Sequence, residues 1–259
     1  MDTDTERVAH HGRQIAYRRS DRGGDGSPVL FVHGSGGSGG VWTSQFRLAD
    51  RLPVVSMDLS GHGESEDVAA EPGYETLSAY VDDVVAVAEA TGARTLVGNS
   101  LGGAVALLTA LNRDLPLDGL VLAGTGAKLA VLDDLLQWLD EDFDRVVDFL
   151  HQPDRLFHDP DERYVEISRE VMYETGQQVT RRDFRSAHAF DERNRLGDVD
   201  VRSLAVVGEY DRLTPPRYHE YLAEQVPDCE LAVIEDAAHL SMLERPEAFN
   251  AALAEFLDQ

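Results

Sequence analysis

The chain has 259 residues, 42% of them hydrophobic, enough for one substantial core, yet no apolar run approaches the roughly 20 residues that span a bilayer. Acidic residues outnumber basic ones 48 to 23, for a formal net charge of -25. Such a surface repels nucleic acid and anionic membranes, so neither is expected as a partner.

In chain order, the polar start MDTDTERVAHHGRQ has no apolar stretch of the kind a secretion signal needs, and a cytoplasmic location is expected. ERVAHHGRQIAYRRS reads as a hairpin turning at His11-Gly12. PVLFVHG is a buried strand, followed by a glycine loop and a helix over Val41 to Leu52. PVVSMDLSG is the next strand, and the helix Leu77 to Thr91 places Val81, Val84, Val85 and Ala88 on one face. RTLVGNS and LDGLVLAG are strands flanking a helix over Leu101 to Leu111. From Ala127 to Asp198 the strand rhythm gives way to charged helical segments, read as an insertion over one end of the sheet. Its Trp138, Phe143, Phe149, Met172 and Tyr173 are expected to serve mainly its own packing, with a few of them open to lining a pocket. Strands resume at VRSLAVVGEYD and CELAVIEDAAH, with the helix PPRYHEYLAEQV between them and a closing helix over Leu240 to Leu257. Alternation of short apolar runs with amphipathic ones predicts an α/β fold with a mostly parallel sheet. Cys229, the single cysteine, excludes an internal disulfide and a cysteine-based zinc site.

GNSLG matches G-x-S-x-G directly between a strand and a helix, the context in which that motif presents a nucleophile. Gly98 and Gly102 would relieve the crowding of a very tight turn and lift the Ser100 hydroxyl above the sheet. A serine hydroxyl needs a base, and the base an orienting acid. Asp211 follows one late strand and His239 the next, both where loops leave the carboxyl ends of strands. Glu209 and Asp236 are the competing acids; His62, His188, His10 and His11 are the competing bases. A tetrahedral oxyanion also needs backbone donors. Leu101 supplies one, and HGSGGSGGVW the other, through the amide of Ser35 with Gly36 as the alternative.

The same loop carries a rival reading. Gly34, Gly36 and Gly39 spell G-x-G-x-x-G, and Asp58 ends the following strand, imitating a dinucleotide-binding fingerprint. The hairpin, the elbow and the downstream Asp and His are superfluous to a dehydrogenase. No histidine spacing or histidine–acid cluster suggests a metal, and no cofactor is expected.

HGSGG, MDLSGHGES, VGNSLGG, VVGEYDRLTPP and AAHLSMLERPEAFN, in that order, resemble the α/β-hydrolase family along essentially the whole chain. The resemblance implies an eight-stranded, mostly parallel sheet, a cofactor-free serine mechanism, and structural roles for Asp58 and the GHGES turn. It also implies a core of residues 1–126 and 199–259 with a helical cap at 127–198. Ser100 in place of Asp disfavours epoxide hydrolase and haloalkane dehalogenase chemistry, and Leu240 after His239 disfavours hydroxynitrile lyases. The C-terminal motif is most similar to enol-lactonases and small carboxylesterases. The expected function is therefore hydrolysis of a small-molecule ester or lactone by Ser100, Asp211 and His239. A C–C bond hydrolase with the same residues and a non-catalytic binding module are the alternatives. The acidic surface, with Lys128 the only lysine, should repel itself in dilute buffer and be screened in salt. A salt-rich cytoplasm is expected, against the alternative of an acidic enzyme from ordinary conditions.

Overall fold

The computed structural model describes residues 4–258. Strands β1 (Thr5–His10) and β2 (Arg13–Ser20) form the expected antiparallel hairpin. His11 and Gly12 join them with φ of 46° and 80°, the two positive values that a type I′ turn uses to match the twist of its strands.

The remaining strands are β3 (Val29–Val32), β4 (Val54–Met57), β5 (Thr95–Asn99), β6 (Gly119–Ala123), β7 (Ser203–Gly208) and β8 (Cys229–Ile234). Together they make one eight-stranded sheet in the order β1-β2-β4-β3-β5-β6-β7-β8. β2 meets β4 antiparallel, and every pair from β4 to β8 is parallel. From β3 to β7 every strand residue is buried, which is why VLFV, GLVLA and SLAVVG run apolar without alternation. From β3 the chain crosses to β4 on one side, and from β5 to β6 on the other. The loops leaving the carboxyl ends of β3 and β5 therefore diverge, and the crevice between them is where such sheets bind ligands.

Helices cover both faces. Helix α1 (Tyr74–Thr91) and helix α2 (Leu101–Asn112) bury Leu77, Val81, Val84, Val105 and Leu108 on one side. Val85 lies only partly buried, and Val87 takes the inward position. On the other face Trp42 packs against Phe31 and Phe249 at ring-centroid distances of 5.0 and 6.0 Å, pairs worth about 0.5–1.5 kcal/mol each beyond their buried area. Between β6 and β7 the chain is helical: α3 (Asp133–Glu141), α4 (Phe143–Leu150) and α5 (Glu162–Ala189), the last interrupted at Gly176. Within it Trp138 packs on Phe149 and Phe143 on Tyr173. α6 (Pro216–Gln225) joins β7 to β8. Among the described residues no helix is long and apolar enough to cross a membrane.

Two expected helices differ. In place of an α-helix over Val41–Leu52, a 3₁₀ segment spans Gly39–Asp50. Its buried Gly39, Trp42, Gln45 and Leu48 recur every third residue, the spacing that eclipses side chains on one face of a 3₁₀ helix. The closing helix is two: α7 (Ser241–Glu244) and α8 (Pro246–Leu257). Pro246 forces Arg245 out of the helical region, to φ −132° and ψ 60°, because the ring crowds the preceding residue.

Gly102→Ala is expected to destabilise the fold by about 2–3 kcal/mol. A Cβ there would lie 2.4 Å from the carbonyl oxygens of Val32 and His33, and backbone cannot yield as a side chain does. Gly197→Ala, with nothing within 4 Å, should stay within about 0.5 kcal/mol of wild type. Urea midpoints measure both.

Candidate active site

Ser100 sits at the junction of β5 and α2 with φ 55° and ψ −118°, a region that costs a non-glycine residue about 1–3 kcal/mol. The turn is so tight that a Cβ on Gly98 would meet the carbonyl oxygen of Gly102 at 2.2 Å. Side chains two positions either side of the serine are thus excluded by backbone atoms. The Ser100 amide donates to Ala123 O of β6 at 2.9 Å, and Thr125 Oγ1 donates to Ser100 O at 2.8 Å. These bonds hold the strained residue between two strands.

Asp211 and His239 converge on the same end of the sheet. Asp211, 2% exposed, accepts from the amides of Leu213 and Thr214 at 2.8 Å each and from Thr214 Oγ1 at 2.8 Å. Its Oδ2 lies 2.8 Å from His239 Nδ1. Burial pushes the carboxyl pKa up, but the charge of His239 and the bonds from His239 and Thr214 outweigh it, so the pKa falls below the ordinary value. An ionised carboxylate only accepts, which places a proton on Nδ1. His239 is fixed by its amide to Arg155 O at 3.2 Å, and Asn99 Nδ2 reaches His239 O at 3.4 Å. Glu244 reinforces the loop, accepting from the amides of Ala238, His158 and Asp159 at 2.7, 2.8 and 3.0 Å.

Ser100 and His239 line one cavity of about 720 Å³, together with the loop after β3 and residues of α3, α4 and α5. The loop after β3 holds Ser35 and Gly36, the predicted donor and its alternative, and Leu101 opens α2. The alternative donor, Gly36, is corrected: its amide is taken by Asp183 Oδ2 at 3.0 Å. Among the described residues neither the Ser35 nor the Leu101 amide has an acceptor; Ser35 lines the cavity, and Leu101 is buried directly behind Ser100. The competing acids lie elsewhere, with Glu209 accepting from the Asp236 amide at 3.3 Å. His188 contacts Val131 O.

Asp183, from α5, carries no sequence signal and is the centre of a fully buried network. Besides Gly36 it accepts from His62 Nε2 at 2.8 Å and from Tyr80 at 2.7 Å. Arg182 bonds Tyr80, Asp67 and Ser60 O beside it. Burial pushes the Asp183 pKa up, yet the charge and hydrogen bond of His62 bring it below its usual value. Burial pushes the His62 pKa down, yet Asp183 brings it above. His33 takes the opposite course: buried and next to His62, its pKa falls to about 4. It accepts from the Leu59 amide at Nε2 and holds Gly34 O at 2.8 Å through Nδ1. His62 is thus a strut under the loop after β3, as is Asp58, which binds the amides of Gly39 and Glu64. That engagement leaves the G-x-G-x-x-G segment no acid free for a ribose.

One reading of the spacing is corrected. His10, His11 and Asp82 do form a cluster, with candidate donor atoms within 4.8 Å of one another. It escapes sequence inspection because Asp82 comes from α1 and meets the hairpin only on folding. Arg113 already holds Asp82 at 2.7 Å, and none of the three lines the cavity.

The profile of the alpha/beta hydrolase family matches residues 29–252. A pimeloyl-[acyl-carrier protein] methyl ester esterase of Neisseria meningitidis serogroup B / serotype 15 (strain H44/76) is 29% identical over 246 residues, spanning 89% of this chain and 92% of that protein. A thermophilic esterase of known structure superposes with TM-score 0.85 at 30% identity, over 99% of this chain and 98% of the other. Est816, an N-acyl homoserine lactone degrading enzyme, superposes with TM-score 0.85 at 26% identity over 97% and 100% of the two chains.

Buried neutral His33 and His219 each have a pKa near 4, against about 6.5 when unfolded. Between those values the unfolded chain binds more protons, so stability is present above pH 6.5 and lost as pH falls towards 4. Urea midpoints across that window should fall in the wild type and fall less in His219→Gln.

Proposed function

The chain belongs to the alpha/beta hydrolase family, and on that footing we propose that it is a serine hydrolase that opens a carboxylic ester or lactone of a small molecule. The observation that carries the reading is the Asp211–His239 pair, 2.8 Å apart, opening on the cavity shared with Ser100. The names of the esterase and lactone-degrading relatives support the same class of substrate.

In this reading His239 Nε2 takes the Ser100 proton as Oγ attacks the carbonyl carbon. The oxyanion is met by the amides of Ser35 and Leu101, with the α2 N-terminus adding a favourable dipole. The tetrahedral adduct collapses as His239 returns the proton to the departing alcohol oxygen, leaving the acyl group on Ser100. His239 then deprotonates a water that attacks the acyl carbon, and the acid is released with Ser100 restored. Asp211 fixes the imidazole tautomer and stabilises its charged form throughout. Residues 127–198 act as the cap that roofs the cavity and sets which acyl and alcohol groups fit. The protein works in a salt-rich cytoplasm, where screening offsets the self-repulsion of a -25 chain.

Ser100→Ala should lower turnover of p-nitrophenyl butyrate by at least about ten-thousandfold while circular dichroism stays unchanged. Turnover within tenfold of wild type would overturn the serine mechanism. Turnover of vinylogous diketones with inertness towards simple esters would move the assignment to C–C bond hydrolysis. The unfolding temperature should rise from dilute buffer to molar KCl, and a flat or falling curve would remove the high-salt assignment.

A further inference from the structure

Arg155, Arg163, Arg212 and Arg217 line the cavity over Ser100 and His239, and among the described residues no aspartate or glutamate does. In a chain with 48 acids and 23 bases, the lining thus has the opposite sign to the molecule. Burial does not explain this, because it excludes arginine as strongly as carboxylate. Elsewhere most arginines hold a carboxylate, as Arg7, Arg94, Arg113 and Arg193 do within 2.8 Å, while Arg145 rests on the Trp138 ring and Arg202 and Arg245 bond the Phe256 and Glu244 carbonyls. Among the described residues Arg155, Arg163 and Arg217 pair with no carboxylate, while Arg212 holds Asp154 at 2.6 Å.

Arg155 is the best placed of the four. Its carbonyl oxygen accepts the His239 amide at 3.2 Å. Its guanidinium lies 3.5 Å over the ring of Phe149 and gives Nη2 to Gln152 Oε1 at 3.2 Å. Its Nε is buried with no acceptor. Burial and the adjacent charge of Arg212 both push its pKa below the ordinary value, and, among the described residues, no carboxylate pairs with Arg155 itself, although Arg212 is held by Asp154. A planar fork of donors, short of an acceptor and backed by a second cation, fits an oxygen anion. Leu135, Val171, Met172, Leu213 and Leu243 also line the cavity and make much of its remaining wall apolar.

We propose that the substrate is an ester or lactone carrying a second, anionic group, a carboxylate or phosphate, which Arg155 binds with Arg212 behind it. An apolar spacer separates that group from the carbonyl at Ser100. The assignment rests on the hydrolase reading above and narrows its substrate class. An acidic exterior repels such a substrate everywhere except at this opening, which focuses it on the site.

The test compares mono-p-nitrophenyl adipate, its terminal phosphonate analogue and p-nitrophenyl hexanoate in low-salt buffer and in molar KCl. At least one anionic ester should exceed the hexanoate by about tenfold or more in kcat/KM, chiefly through KM, as one charge-assisted contact allows. Whichever anion is preferred identifies the group. In Arg155→Gln, which keeps the backbone bond to His239, the preference should shrink to about twofold. Should that variant not fold, Arg212→Gln should cut the preference at least severalfold. Ser100-dependent hydrolysis of the hexanoate that equals or exceeds both anionic esters would overturn the anion site and leave the esterase reading standing. A preference unchanged in Arg155→Gln would likewise overturn the assignment. Inertness towards all three esters would sink the esterase reading, and calorimetric titration with adipate would then decide the anion site. Binding weakened at least tenfold in Arg155→Gln supports it, and absence of binding to the wild type overturns it.

Discussion

A single backbone conformation organises the candidate site: Ser100 at φ 55° between β5 and α2. A non-glycine residue stays there only because its surroundings over-determine it. The amide bond to β6, the contact of Gly102 with the carbonyls that end β3, and the first turn of α2 all meet at this point. The local strain is small against the stability of a sheet whose five central strands are wholly buried. Loosening any of the three supports would let the serine relax into an ordinary turn and swing its hydroxyl away from the crevice.

Charge is distributed with the same economy. Outside, acids and arginines pair in exposed contacts that contribute little individually. Inside, Asp183, His62 and Tyr80 form a network in which every polar group of the carboxylate is met by a donor. A buried ion pair is no free gain in stability; its return is in fixing one arrangement of the loop after β3. The neighbouring His33, its pKa lowered where that of His62 is raised, lets two imidazoles stand 4.7 Å apart without both carrying charge.

What the sequence made legible follows from how far apart the interacting parts lie. Gly98, Ser100 and Gly102 act within five consecutive residues, so their steric logic is written in the pentapeptide. Asp211 and His239 are distant in sequence, yet each follows a strand, and strand ends in a parallel sheet share one edge. The meeting of Asp183 with Gly36 depends instead on how α5 docks, and no local pattern encodes that. The same holds for His10, His11 and Asp82. The 3₁₀ segment is an intermediate case: its three-residue period stands in GGVWTSQFRLAD, masked by the apolar residues around it. The break at Pro246 was local and readable, and the longer amphipathic pattern obscured it.

The Asp183–Gly36 bond also bears on how such a protein can be recombined. The helical segment between β6 and β7 leaves the sheet after one strand and returns to it at the next. Yet one of its carboxylates closes the amide next to Ser35. A chimera that imports a foreign segment at this junction would gain new cavity walls and lose a strut of the loop after β3. Exchange of the segment is therefore coupled to one position, and any replacement must carry an equivalent acceptor or rebuild the loop.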